Sequence, residues 1–201
     1  MTDFGPDHFI GGRLAIDFVN TADGRETRFV DTLAGTGDYT AWMTASGVWP
    51  ETDAAALADA LSDAGRARAF CAEATGLREA IHDALITRMR DGRPDPDALA
   101  RIAQAYRSVA ADAALATGPD GRTALDWSGA SAETRFLAPI VMDALELLAD
   151  ARADRLKQCD GETCGWLFLD TSKAGRRRWC DMATCGNVSK ARRHAARKRT
   201  G

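Results

Sequence analysis

Residues 159–201 read CDGETCGWLFLDTSKAGRRRWCDMATCGNVSKARRHAARKRTG, and the placing of cysteines in this stretch decides more than any other feature of the chain. Cys159 and Cys164 form a C-x4-C pair, fifteen residues follow, and Cys180 and Cys185 form a second C-x4-C pair. Two short knuckles that each present two sulfurs suit one tetrahedral Zn2+, and a site closed by four sulfurs keeps no open position for water or substrate. The spacing therefore points to one structural zinc and away from metal catalysis. A segment of about forty residues with two tryptophans and a few leucines buries too little apolar surface to offset chain entropy, so the metal must act as its core.

The order of residues around the cysteines predicts the local structure. GWLFLD reads as a strand with Trp166 and Phe168 on one face and Leu167 and Leu169 on the other. TSKAG turns the chain, RRRWC returns it as a second strand, and the second knuckle leads into a helix through Lys198 that Asn187 or Ser189 would cap. Knuckle, hairpin, then knuckle at a helix start is the order of a treble-clef zinc finger.

Charge divides the chain in two. Residues 1–151 carry 13 Lys/Arg against 24 Asp/Glu, whereas residues 152–201 carry 13 against 5. An acidic body is thus joined to a basic module, and this polarity is hidden in the net charge of −3. The cations fall in two groups: Lys173, Arg176, Arg177 and Arg178 on the turn and return strand, and Lys190, Arg192, Arg193, Arg197, Lys198 and Arg199 on the final helix. Several cations acting together release counterions from DNA and bind it with steep salt dependence. Other readings of the same charges are a solvated helix end, docking onto the acidic body, and binding to RNA or to an acidic protein.

The body is rich in helix formers. Between Asp53 and Met89 the apolar positions Leu57, Leu61, Phe70, Leu77, Ile81, Leu85 and Met89 keep a helical period, which predicts one or two helices with Gly65 and Gly76 as breaks. Another helix is expected after Pro94 and Pro96, with Leu99, Ile102, Tyr106 and Val109 on one face, and GPDG at 118–121 is hairpin chemistry. A long helix is expected from Ala132 to Gln158, running straight into the first knuckle as a stiff tether. Near the N-terminus Leu14, Ile16 and Phe18 alternate as in a strand, while Leu14, Phe18 and Thr21 also fit a helix. The arrangement taken is a short strand at His8–Ile10 and a short helix at Arg13–Thr21.

Signals for catalysis are thin. HExxH, GxSxG and Walker patterns are absent, the histidines His8, His82 and His194 are scattered, and GTGDY at 35–39 reads as a loop. No enzyme is expected, although carboxylate chemistry in the body stays open as an alternative. Arg13, Asp17, Asn20, Thr21 and Trp42 are candidates for a small-molecule pocket, or else for internal capping and bridging of short elements. Cys71 reads as a small buried helix residue. The start MTDFGPDHFIGGR has no basic region followed by an apolar run, and no stretch is long enough to span a bilayer. The expected location is the cytoplasm, where reducing conditions favour metal over disulfides.

The run from Cys159 to Arg199 resembles the CGNR zinc finger, and GGRLAIDFVNT at 11–21 resembles the opening of the ABATE domain found with that finger in stress-induced transcription regulators. Where the family name carries arginine, this chain reads Cys185, Gly186, Asn187, Val188. The resemblance implies a bacterial regulator with an ABATE-like sensor domain over 1–151 and a zinc finger with a basic C-terminal helix over 152–201. Its expected partners are DNA and a small-molecule effector. Lys190, Arg192 or Arg193 are placed to bind a phosphate that Val188 cannot bind, but they could not replace a bidentate grip on a base. The fold expected is α+β: a mainly helical N-terminal domain with a small hairpin, then a treble-clef finger. No heptad seam supports a dimer.

Overall fold

Helix α1 (Leu14–Val19) is six residues long, too short to persist alone. It holds because Ala15, Ile16, Phe18 and Val19 are all buried. The computed structural model describes residues 2–25, 27–150 and 154–199, with the side chains of residues 193, 194, 196, 197 and 199 outside that description. The expected domain boundary between 151 and 152 therefore lies outside the described residues.

After α1 come a minimal antiparallel pair, β1 (Ala22–Asp23) with β2 (Val30–Asp31), and then α2 (Thr36–Ser46), α3 (Glu51–Ala60), α4 (Ala64–Asp91) and α5 (Pro96–Ala111). The period between Asp53 and Met89 resolves into two helices. The break comes at Leu61–Asp63, where Asp63 accepts the Arg66 N–H as an N-cap, while Gly65 and Gly76 lie inside α4. Asp95 caps α5 in the same way and Pro96 opens it. The expected hairpin follows as β3 (Ala114–Thr117) and β4 (Thr123–Asp126), paired in antiparallel register with Leu115 opposite Leu125. Gly121, at φ 77°, supplies the left-handed turn residue.

Helix α6 (Ala132–Ala149) packs against α1, α3, α4 and α5. Its Phe136 is the hub of the core, stacked on Trp49 at 5.4 Å and met edge-on by Phe18, Tyr39 and Phe70. The last part of the chain adds β5 (Leu156–Gln158), β6 (Leu167–Leu169) and α7 (Asn187–Arg199).

Several expectations need correction. Helix α6 stops at Ala149, not Gln158, because Asp150 turns to extended backbone and Arg88 reaches across to the carbonyls of Leu148 and Asp150. The stretch leading into Cys159 is the strand β5, whose backbone pairs with β6; no stiff helix enters the knuckle. His8–Ile10 is not a strand: Pro6–His8 forms a 3-10 turn in which the His8 N–H reaches the Gly5 carbonyl. GTGDY opens α2, since Asp38 folds back to accept the Gly35 N–H at 2.9 Å. RRRWC pairs with no strand, because its backbone is claimed elsewhere: the Arg177 N–H by Asp170 and the Arg178 carbonyl by the Asp160 N–H. The turn before α7 is capped by Asp181, which accepts from the Thr184 N–H at 2.8 Å, instead of by Asn187 or Ser189.

Candidate metal centre and nucleic-acid interface

Strand β6 is the wall that two cores share. Phe168 packs with Cys159, Cys180 and Trp166 in a small cluster around the thiols, whereas Leu167 and Leu169 join the large core of the body. The alternation in GWLFLD is as expected, and the structure shows what its second face is for. Leu156 of β5 also belongs to the body's core.

Polar contacts fix the same junction. The side chain of buried Asn20 reads the Leu167 peptide from both sides: its Nδ2 donates to the Leu167 carbonyl at 2.9 Å and its Oδ1 accepts the Leu167 N–H at 2.9 Å. The Leu169 N–H donates to the Gly11 carbonyl at 2.8 Å, and the Gly11 N–H donates to buried Asp17 at 2.7 Å. Gly11 has no room for a side chain, since a Cβ would lie 2.5 Å from Ile16.

The four thiols converge. The Sγ atoms of Cys159, Cys164, Cys180 and Cys185 all lie within 4.8 Å of one another, with Cys164–Cys180 and Cys180–Cys185 both at 3.7 Å. A tetrahedron with Zn–S bonds of about 2.3 Å has S–S edges of roughly 3.8 Å, so the spacing fits zinc. Without a cation the set cannot ionise together. Hydrogen bonds from Cys164 and Cys180 hold the Cys159 thiol down, the same contacts hold Cys164 and Cys180 up, and burial pushes Cys185 up. One divalent ion relieves that frustration, and the protein carries one structural zinc there.

Two residues that the sequence did not single out shape this centre. Gly161 donates its N–H to the Cys159 sulfur at 3.4 Å, and a Cβ at this position would crowd Cys164, Cys185 and Cys159. Asp170, fully buried, organises the turn into the second knuckle by accepting from Lys157 Nζ at 2.7 Å, the Ser172 hydroxyl at 2.5 Å and the Arg177 N–H at 2.8 Å. Lys157 and Ser172 hold its carboxyl far below the usual range. The acid in GWLFLDTS was the available signal, as Asp before Ser/Thr is turn chemistry.

The basic residues do not behave alike. Lys173, Arg176, Arg178, Lys190, Arg192 and Lys198 are exposed. Arg177 instead turns inward: its guanidinium lies 4.5 Å over the Phe168 ring and bonds the Trp179 and Cys180 carbonyls, clamping the second knuckle. Arg178 pairs with Asp160 at 2.6 Å, and Arg192 pairs with Glu162. Arg193, Arg197 and Arg199 fall on α7, with side chains outside the described residues. Val188 stands exposed in the first turn of α7, beside a cleft of about 310 Å3 between the knuckles, while Asn187 closes the preceding turn through the Ala183 carbonyl.

In the body, the five pocket candidates serve as internal supports and lie outside the lining of the four cavities described. Arg13 bonds Asp143 and Glu146; Thr21 accepts from buried Arg78; Trp42 is completely buried among aromatic rings. Asp17 is the unusual one. Burial pushes its carboxyl up to about 7, against the Gly11 hydrogen bond and with help from Asp143. Between about pH 4 and pH 7 the folded chain thus keeps a proton that the unfolded chain has released, and stability falls as pH rises through that window. Asp17→Asn keeps the acceptor and removes the charge. It is expected to flatten this fall and to exceed the parent at pH 8 by on the order of 3 kcal/mol, read by urea denaturation at pH 5 through 8. Equal pH slopes in the two proteins would refute the assignment.

The fold and site together define a helical domain whose core continues into a tetrathiolate zinc finger. The chain belongs to the ABATE family, described as "putative stress-induced transcription regulator", which matches residues 12–151, and residues 155–198 match the CGNR zinc finger. No curated protein matches the chain. Among the described residues no helix is long and apolar enough to cross a membrane.

Proposed function

We propose that this protein is a cytoplasmic DNA-binding transcription regulator that acts by binding and not by turnover, with its finger contacting the phosphate backbone and its helical domain sensing a signal. The observation that carries the reading is a set of exposed cations of one sign, Lys173, Arg176, Arg178, Lys190 and Arg192, displayed on a scaffold fixed by zinc. Such a scaffold places charges without a large core, and phosphate contacts need charge more than a fixed fork geometry. Arg177 is excluded from the contact set by its inward role. Val188 offers no charge where the family name carries arginine, so readout of bases falls to other positions or is weak.

Asp160 and Glu162 hold Arg178 and Arg192 in ion pairs that DNA phosphate must displace. Neutralising them, in the double variant Asp160→Asn/Glu162→Gln, is expected to tighten binding about three- to tenfold at low salt. Lys190→Ala is expected to reduce the slope of log K against log salt by about one. Fluorescence anisotropy with duplex DNA at two salt concentrations measures both, and selection from random duplexes tests for a sequence motif. Salt-independent binding, or tighter binding to RNA or an acidic protein than to duplex DNA, would defeat the proposal.

A further inference from the structure

A cavity of about 510 Å3 lies where the end of α4 meets the finger, walled by Ile86 and Arg90 of α4, Arg25 from the loop after β1, and Gln158 at the end of β5. Its size suits a small metabolite, and a cleft between a helical body and an appended module is a common place for one. We infer that this cavity binds a small zwitterion of the free amino-acid class, and that its occupancy is passed to the first zinc knuckle through Gln158.

The chemistry follows from the lining. Arg25 and Arg90 are matched by Asp83 and Asp95, two charges of each sign. A pure anion or cation would leave one pair facing like charge, whereas a ligand with one carboxylate and one ammonium can set opposite charge against each pair. The charges are already fixed in place. Arg25 is held by Glu79 and the Val19 carbonyl, Asp95 caps α5 through the Ala98 N–H at 2.8 Å, and Asp83 meets His82 and Arg101, each at 3.3 Å. His82 is kept neutral by burial and by Arg25, so it adds a hydrogen-bonding ring without altering the balance. The Thr87 hydroxyl, which accepts the Asp95 N–H at 2.8 Å, ties the two sides together, and Ile86 gives apolar surface for a side chain. Preorganised groups of this kind cost little to order on binding.

Gln158 makes the link to the metal. It precedes Cys159 in sequence, and its Nε2 donates to the carbonyl of Gly165, the residue after Cys164. One side chain on the cavity wall thus spans both ligands of the first knuckle, and a ligand that engages Gln158 biases how that knuckle is held.

The test uses the full zinc-loaded chain and the twenty amino acids, each titrated by calorimetry. At least one is expected to bind, and its N-acetyl and its amide derivative are expected to bind at least tenfold more weakly. Arg90→Gln and Asp95→Asn are each expected to cost at least tenfold; the second keeps the helix cap and so remains informative if the first fails to fold. Zinc transfer to a chelator is expected to slow at least threefold with the amino acid bound, and this effect should vanish in Gln158→Ala. No binding at millimolar concentration, derivatives that bind as well as the parent, or a zinc-transfer rate that ignores the ligand would overturn the inference. The proposal rests on the regulator reading only for its biological use, and DNA binding by the ligand-free chain, measured in parallel, separates the two. Amino-acid binding without DNA binding supports the cavity and defeats the regulator; DNA binding without amino-acid binding defeats the cavity alone.

Discussion

Removal of zinc by a chelator is expected to lower the melting temperature of the whole chain by roughly 10 °C, and not merely to unfold its last forty residues. Structural zinc contributes about 10–16 kcal/mol of apparent binding energy in small finger peptides, and without it nothing ligates Cys159 and Cys164 of one knuckle to Cys180 and Cys185 of the other. Loss of the finger strips β6 and β5 from the body, because Leu167 and Leu156 are buried in the large core. Exposing two leucines costs about 1.5–3 kcal/mol each, and 1 kcal/mol moves a domain of this size by about 2–4 °C. Calorimetric melts of zinc-loaded and chelated protein, with metal content measured at one zinc per chain, check this. Cys185→Ser should reproduce the chelated melt. A body transition that stays at the same temperature in the absence of zinc would show two independent domains and sink the prediction.

The second large effect is expected at Asn20. Asn20→Ala leaves a buried N–H and a buried carbonyl of Leu167 without partners, at a cost of about 1–3 kcal/mol each, so a loss of roughly 3–5 kcal/mol is expected in denaturant unfolding. The same change should weaken zinc binding by about a hundredfold, since the strand that Asn20 holds carries one wall of the metal cluster. Asn20→Asp is expected to fare no better, because it keeps the acceptor, loses the donor and puts a charge against the Leu167 carbonyl. A stability loss without any change in zinc affinity would mean that Asn20 supports the body only. That outcome would show that the Asn20–Leu167 contact does not couple the helical domain to metal binding.

Much of the site was legible in the sequence because metal chemistry demands particular residue types at short spacing. Four cysteines in two C-x4-C pairs define a tetrathiolate whatever surrounds them, and the observed 3.7 Å sulfur contacts follow. Helices α4, α5 and α6 were legible from apolar period and caps, and the hairpin at 118–121 from its turn residues. Charge also showed correctly that the finger is the basic end of an acidic protein.

What escaped the sequence depended on long-range partners. Leu156–Gln158, expected as the end of α6, became β5, because strand partners nine to thirteen residues further on outweigh local helix propensity. RRRWC lost its strand to side-chain and backbone claims from Asp170 and Asp160. Arg177 cannot be told from Arg176 or Arg178 by sequence, since only the position of the Phe168 ring turns one guanidinium inward and leaves the others exposed. Arg13, Asp17, Asn20 and Thr21 offered themselves from the sequence for a pocket or for internal bridging, but their partners, Asp143, Gly11, Leu167 and Arg78, lie up to 147 residues away and could not be read from it. By itself the sequence determined a zinc-built basic module on a helical acidic body, because ligand type, periodicity and charge are local properties. Only the tertiary structure decided that the two share a core, because a strand's two faces are written in sequence while the identity of what covers each face is set by packing.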